Sequence, residues 1–226
     1  MENACALIAA YDEGRHVAQV VTATRSHVPD VFVVDDGSSD RTADEARAAG
    51  ATVISHDRNL GKGQAVRTGL THVMALPFTH VVLLDGDMQH DPAEIPRLLD
   101  AAARGADLVL GERGFDRVAM PAARYYSNVI GSRILSWFVG ADVSDSQSGF
   151  RVVRLDVLRR VSLTARGYEI ETEMLIKLMR AGACLECIPV QRLHYAGVRS
   201  HIRPFRDTFR TCMLAMKYRF WEEVSS

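Results

Sequence analysis

The chain has 226 residues, 47% of them hydrophobic and 24% charged, a composition that argues against disorder and supplies enough apolar surface for one generous core. With 27 Lys+Arg against 28 Asp+Glu the formal net charge is −1, so no global basic field exists to hold nucleic acid. No run of about 18 apolar residues occurs, and no basic region precedes the short apolar stretch near the N-terminus, so neither a spanning helix nor a signal peptide is expected.

Short runs rich in Val, Ile and Leu alternate with helix-length segments: Cys5 to Ala10, Val31 to Val34, Thr52 to Ser55, Val81 to Leu84 and Leu108 to Leu110. Such runs predict buried, mainly parallel strands of a Rossmann-like α/β sheet flanked by helices. Thr42 and Glu45 form a capping box with Gly50 as the stop; Asp91 precedes Pro92 as an N-cap, and Gly105 closes that helix. Beyond Gly111 the alternation gives way to a long helix over 121–139, a loop over 144–149, a helix near 171–180 and a basic tail. The expected organisation is one domain over 1–226, with a nucleotide-sugar half (1–115) and an acceptor-side half (116–226).

Cys184 and Cys187 make a lone CxxC among four cysteines. With no second pair to complete a zinc site, they are expected as two thiols in a strand ending at Pro189, and a reducing cytoplasm fits the cysteine usage.

In open α/β sheets ligands bind beyond the carboxyl ends of the strands, and four consecutive strands here exit into polar segments. They are Tyr11-Asp12-Glu13, the DDGSSD stretch from Asp35, the segment Asp57 to Gly63, and Asp85-Gly86-Asp87-Met88-Gln89-His90-Asp91. Asp85 and Asp87 follow a buried run, a costly place for two carboxylates unless a cation compensates them; a hard divalent ion completed by substrate phosphates does so, with Gln89 or His90 as a further contact. Asp35 and Asp36 can accept from a nucleobase or a ribose, besides shaping the DGSSD turn. The Gly61-Lys62-Gly63 turn fits neither a Walker A loop nor a dinucleotide fingerprint. It leaves a glycine-rich helix start with a cation, suited to an anion or to close backbone approach.

Ala10-Tyr11-Asp12-Glu13, VVDDGSSDRT (33–42), RNLGKGQAVRTG (58–69), LLDGDMQHDP (83–92), Gly111-Glu112-Arg113 and DSQSGFR (145–151) together resemble a family-2 glycosyltransferase of the GT-A fold, in the polyprenyl-phosphate, dolichol-phosphate mannosyltransferase-like group. Ala10 stands where that group usually has Pro, Asp12 where it has Asn, and Ser200-His201 where it has Ser-Lys. The resemblance implies a nucleotide site at Ala10, Tyr11, Glu13, Asp35, Asp36, Lys62, Asp85 and Gly86. It implies Mg²⁺ or Mn²⁺ at Asp85, Asp87 and Gln89, and catalytic roles for Asp87, Arg113 and Asp145. Arg113, Arg124, Ser127, Arg151, Arg199 and Arg203 are expected at an acceptor phosphate.

The implied reaction is metal-dependent, inverting transfer of a hexose from a GDP- or UDP-linked sugar to a polyprenyl phosphate. A phosphate acceptor is already ionised near neutral pH and needs no protein base; a soluble hydroxyl acceptor would need one, with Asp145 or Glu173 as candidates, although Asp145 also reads as a loop cap and Glu173 first as an exposed helical residue. A non-catalytic nucleotide-sugar-binding subunit is the further alternative.

Two basic amphipathic patterns bear on lipid access. Tyr126, Val129, Ile130, Ile134, Trp137 and Phe138 recur at helical spacing, and between Arg199 and Trp221 six basic residues face Asp207 alone, beside Phe205, Phe209, Met213 and Phe220. Core packing is the first expectation for either stripe, and seating on a membrane surface or a membrane subunit the second. The expected location is cytoplasmic, peripheral on the membrane face if the second reading holds.

Overall fold

The computed structural model describes residues 3–113 and 122–191. In chain order the elements are β1 (Ala4–Ala10), α1 (Val17–Arg25), β2 (Val31–Asp35), α2 (Thr42–Ala48), β3 (Thr52–Ser55), α3 (Lys62–Met74) and β4 (His80–Asp85). A 3-10 turn (Pro92–Glu94) leads into α4 (Ile95–Ala103), followed by β5 (Leu108–Arg113), α5 (Ala122–Val139), β6 (Arg151–Arg154), α6 (Leu155–Leu158), α7 (Ile170–Arg180) and β7 (Leu185–Val190).

The strands form one seven-stranded sheet in the order β3-β2-β1-β4-β6-β5-β7. β1 to β4 pair in parallel, β7 lies parallel to β5, and β6 runs antiparallel to both its neighbours. Both faces are covered, which is why the central strands are continuous apolar runs. Leu7, Leu83 and Val153 point to one core with Leu70, Met174 and Leu175 of α3 and α7. Ile8, Leu84 and Val152 point to the other, with Val17 and Val21 of α1 and Leu98 of α4. The expected mainly parallel α/β sheet is what the chain forms.

Four local expectations are revised. Thr52–Ser55 is a strand but a half-exposed edge rather than a buried one. Thr42 is the first residue of α2, not its cap: its hydroxyl accepts from the Glu13 N–H at 2.8 Å and pairs with Asp40, so a tertiary partner displaces the capping box. The strand after the 144–149 loop, β6, is not among the expected strands, because its four residues, Arg151–Arg154, hold only Val152 and Val153 between two arginines. In α5, Leu135 is buried but Ile130, Ile134 and Trp137 are exposed, so the expected core stripe is solvent-facing at those positions. Asp91 does cap, accepting from the Ala93 N–H, and Gly50 and Gly105 take positive φ after their helices.

The entry to α3 is a close backbone approach. Gly61 has φ +97°, and a Cβ there would stand 2.5 Å from the Arg166 carbonyl oxygen; one at Gly63 would stand 2.7 Å from that of Ala165. Both positions therefore require glycine, and Gln64 N–H seals the contact by donating to the Arg166 carbonyl at 3.2 Å. Gly61→Ala should lower stability by about 2 kcal/mol, read as a lower urea midpoint at unchanged slope. An unchanged midpoint would mean that this approach is not constrained.

Candidate active site

The carboxyl ends of the parallel strands converge on one edge, and the reversal of β6 brings its amino end there too: Arg151 pairs in register with Leu83, two residues before Asp85. The site is assembled from the ends of β1, β2, β4 and β5, the entry of α3, the 145–150 loop and the start of α7.

Asp85, at the end of β4, is its centre. Lys62 Nζ lies 2.8 Å from Asp85 Oδ1 and 2.7 Å from Glu171 Oε1, so one ammonium bridges two carboxylates from opposite halves of the chain. The Tyr168 ring lies 5.7 Å from the same nitrogen. Burial alone would push the Asp85 carboxyl up, but Lys62 and then His90 overcome it and hold the group well below the usual carboxylate range. Burial likewise disfavours the Lys62 ammonium, and Asp85 and Glu171 more than offset it, raising the group above the ordinary lysine value. Gly149 packs directly on this carboxylate: a Cβ there would lie 2.8 Å from Asp85 Oδ2 and would have to displace it.

Asp87 is partly exposed. Its Oδ1 accepts from Gln89 N–H at 3.0 Å and its Oδ2 from Gln89 Nε2 at 2.6 Å, across Met88 at φ +60°. The oxygens of Asp85, Asp87 and Gln89 are of the kind a hard divalent ion takes, while in this structure Asp85 Oδ1 is engaged by Lys62 and Gln89 Nε2 by Asp87. Among the described residues no three carboxylate, imidazole or thiol groups converge as a complete metal site.

Arg113, ending β5, pairs bidentately with Asp145: Nε to Oδ2 at 2.7 Å and Nη2 to Oδ1 at 3.2 Å, with its own N–H on Oδ2 at 3.3 Å. Burial opposes the guanidinium charge, and Asp145 outweighs that opposition and raises it. Glu112 braces the same loop, accepting from Ser144 N–H at 2.7 Å.

Arg151 departs from its expected place at an acceptor phosphate. It is fully buried, and its guanidinium donates to the carbonyls of Ser148 at 2.8 Å, Glu171 at 2.6 Å and Ser146 at 2.9 Å. Burial pulls it down to about 10, still charged at neutral pH. Glu173 departs likewise from an exposed helical residue or a base. It is buried, accepts from the Thr164 and Ala165 N–H groups at 2.9 and 2.8 Å, and pairs with Lys177 at 2.8 Å.

Asp36 is drawn into the fold. It accepts from Leu60 N–H at 3.0 Å and Gly61 N–H at 2.8 Å, and His56 Nδ1 lies 2.7 Å away, so both its oxygens hold the α3 entry. Asp35 accepts from Ser38 N–H at 3.1 Å. Tyr11 is exposed, and Glu13 pairs with His16 at 3.0 Å. Ala10 is buried against Gly86, whose Cβ would stand 3.2 Å from that of Ala10. Asp12 takes φ +53°, a conformation Asp and Asn tolerate, and accepts from Ser39 N–H at 2.8 Å. Arg124 and Ser127 lie on α5; Arg199, Arg203 and the basic tail lie outside the described residues. Lys62 was expected at the nucleotide, but its partner Glu171 was not foreseen, because no local pattern links α3 to α7.

Both CxxC thiols are free, and only one lies in the strand: Cys187, in β7, donates to the Asp142 carbonyl at 3.6 Å and burial pushes it up to about 12, whereas Cys184 is exposed and precedes β7. β7 carries Pro189 within the strand and ends one residue later, as an edge strand allows.

Residues 5–162 match the model of glycosyl transferase family 2. The chain belongs to that family. It is 32% identical over 211 residues to a glycosyltransferase of Haloferax volcanii, AglJ, covering 90% of this chain and 67% of that protein. It is 32% identical to an undecaprenyl-phosphate mannosyltransferase of Micrococcus luteus over 81% of each chain. A solved glucosyl-3-phosphoglycerate synthase of Mycobacterium tuberculosis, in complex with Mn²⁺, UDP-glucose and phosphoglyceric acid, superposes with a TM-score of 0.75 at 21% identity, covering 99% of this chain and 81% of that one. The fold is shared with that structure, and the chain is a glycosyltransferase.

In this glycosyltransferase the Lys62–Asp85 pair has a definite pH signature. A carboxyl held low in the folded state contributes stability that is complete above about pH 4 and is lost as pH falls toward its folded value. Lys62→Met should cost roughly 2 kcal/mol at neutral pH, less than the roughly 3–5 kcal/mol of a fully buried pair, because both side chains keep some solvent. Its urea stability should also decline less steeply below about pH 4 than that of the wild type. Equal acid slopes would remove Lys62 as the counter-charge of Asp85.

Proposed function

We propose that the enzyme transfers a hexose, with inversion, from a GDP- or UDP-linked sugar to a polyprenyl phosphate, with Mg²⁺ or Mn²⁺ at the donor diphosphate. The observation that carries the acceptor class is the state of the two carboxylates that could have served as bases. Asp145 is paired bidentately with Arg113 and Glu173 is buried under backbone donors, so neither is placed to deprotonate a hydroxyl. An acceptor that arrives ionised, as a phosphate monoester does, removes the need for a base.

Arg113 then orients the acceptor phosphate, its Nη1 taking no part in the Asp145 pair. Arg124 and Ser127 of α5, with Arg199 and Arg203 of the tail, are proposed as its further contacts. Asp145 fixes the Arg113 fork, and Arg151 holds the intervening loop from behind. On the donor side Tyr11, Glu13 and Asp35 are proposed at the nucleoside, with Asp36 shaping that pocket through the α3 entry. Asp85, Asp87 and Gln89 would hold the divalent ion, which supplies charge neutralisation for the departing diphosphate.

Names of relatives support a lipid acceptor: besides the Micrococcus enzyme, similar chains include a polyprenol monophosphomannose synthase and a dolichol-phosphate mannosyltransferase. No helix among the described residues is long and apolar enough to cross a membrane. Exposed Ile130, Ile134 and Trp137 on α5, the helix that carries Arg124 and Ser127, are proposed to meet the lipid surface where the acceptor enters.

The test is transfer of labelled sugar from GDP-mannose and UDP-glucose to undecaprenyl phosphate, with Mn²⁺ or EDTA. Wild type should label the lipid with one of the donors and lose activity in EDTA, and Asp87→Ala should reduce turnover at least about 100-fold at unchanged thermal midpoint. Undiminished turnover in Asp87→Ala would overturn its assignment. Labelling of a soluble hydroxyl acceptor in preference to the lipid would overturn the acceptor class.

A further inference from the structure

His90 is 1% exposed, and neither ring nitrogen has a hydrogen-bond partner. Its ring packs against Phe150 with centroids 5.3 Å apart, and Nε2 stands 3.6 Å from Asp85 Oδ2. That carboxylate is the one charged group within ion-pair reach of the imidazole among the described residues. A buried imidazole with both nitrogens unpaired is unfavourable in a site that an aromatic hydrocarbon would fill without that cost. The separation is also too long for a hydrogen bond, yet a closure of roughly 0.7 Å would make one.

The two oxygens of Asp85 are differently placed. Oδ1 is held by Lys62 at 2.8 Å, while Oδ2 faces His90 and the backbone of Gly149. Without a second anchor the carboxylate can rotate about its χ2, a broad torsion, whenever donor phosphates compete for the Lys62 ammonium.

We propose that His90 is a positioning residue for Asp85: its Nε2–H closes on Oδ2 when the donor binds and fixes the orientation in which Asp85 meets the donor. This rests on the reading of Asp85 as a donor-site carboxylate. His90 touches neither substrate nor the reacting atoms; it acts through Asp85, as outer-shell partners do elsewhere.

His90→Phe keeps a ring against Phe150 and removes both unpaired nitrogens, whereas His90→Gln places an amide nitrogen near the position of Nε2. In the lipid transfer assay, His90→Phe should keep a thermal midpoint no lower than wild type while its turnover falls about 10-fold or more, and His90→Gln should recover most of the loss. A residue that only packs would give the reverse, with His90→Phe active and His90→Gln impaired, and that result would overturn the proposal. A second arm is independent of transfer: urea midpoints of His90→Phe, Asp85→Asn and the double variant should depart further from additivity with saturating GDP or UDP and Mn²⁺ than without them, and an equal departure in both conditions would overturn the proposal. If His90→Phe does not fold, His90→Gln and His90→Asn replace it in both arms; Gln keeps the Nε2 donor, Asn does not, and equal turnover and equal coupling in the two would overturn the proposal. A wild type that labels lipid with neither donor would sink the functional reading and leave the urea cycle to decide His90.

Discussion

A carboxylate ionised at the end of a buried strand is the constraint on which this site depends. Asp85 follows Leu83 and Leu84 out of the sheet, where desolvation by itself favours the neutral acid. The chain keeps it charged by importing an ammonium from the start of α3. Because that ammonium also reaches Glu171, the same interaction fixes the first turn of α7 against the sheet. The glycines at 61, 63 and 149 follow from it: each lets backbone come close enough for Lys62, the 165–167 loop and the 145–150 loop to close around one carboxylate.

The reversed strand β6 solves the matching problem on the acceptor side. A parallel strand between β4 and β5 would have put its carboxyl end at the site and carried the preceding loop to the far edge. Running the other way, β6 presents its amino end and the 145–150 loop between Asp85 and Arg113. Arg151 then anchors that loop through three carbonyls instead of a carboxylate. Three carbonyl oxygens satisfy its donors directly, and the carboxylates of Glu171 and Asp145 stand near enough to favour its charge against the cost of burial.

β1, β2 and β4 and their polar exits were legible because parallel strands buried on both faces are written as uninterrupted apolar runs, and a carboxylate immediately after such a run is conspicuous. What escaped notice depends on contacts distant in sequence. Thr42 satisfies every local rule for a cap, yet its hydroxyl bonds to the chain leaving β1. Glu173 has the periodicity of a solvent-facing position, but the backbone of the 164–165 segment folds over it. Asp36 sits where a base-binding group was expected and instead ties down Leu60 and Gly61. In each case the residue type announced a polar role, and only the fold decides whether a ligand or the backbone fills it.

That distinction bears on the chemistry. Polar groups at the strand ends divide into those whose hydrogen bonds are completed within the chain, among them Asp36, Glu173 and Arg151, and those left partly exposed, among them Asp87 and Arg113. The first set makes the second rigid: Asp36 fixes the α3 entry that carries Lys62, and Arg151 fixes the loop that carries Asp145, the partner of Arg113. In the transfer proposed above, charge develops on a departing diphosphate, and donors that need not reorganise as it develops are an advantage. The buried members therefore contribute by limiting motion in the exposed ones.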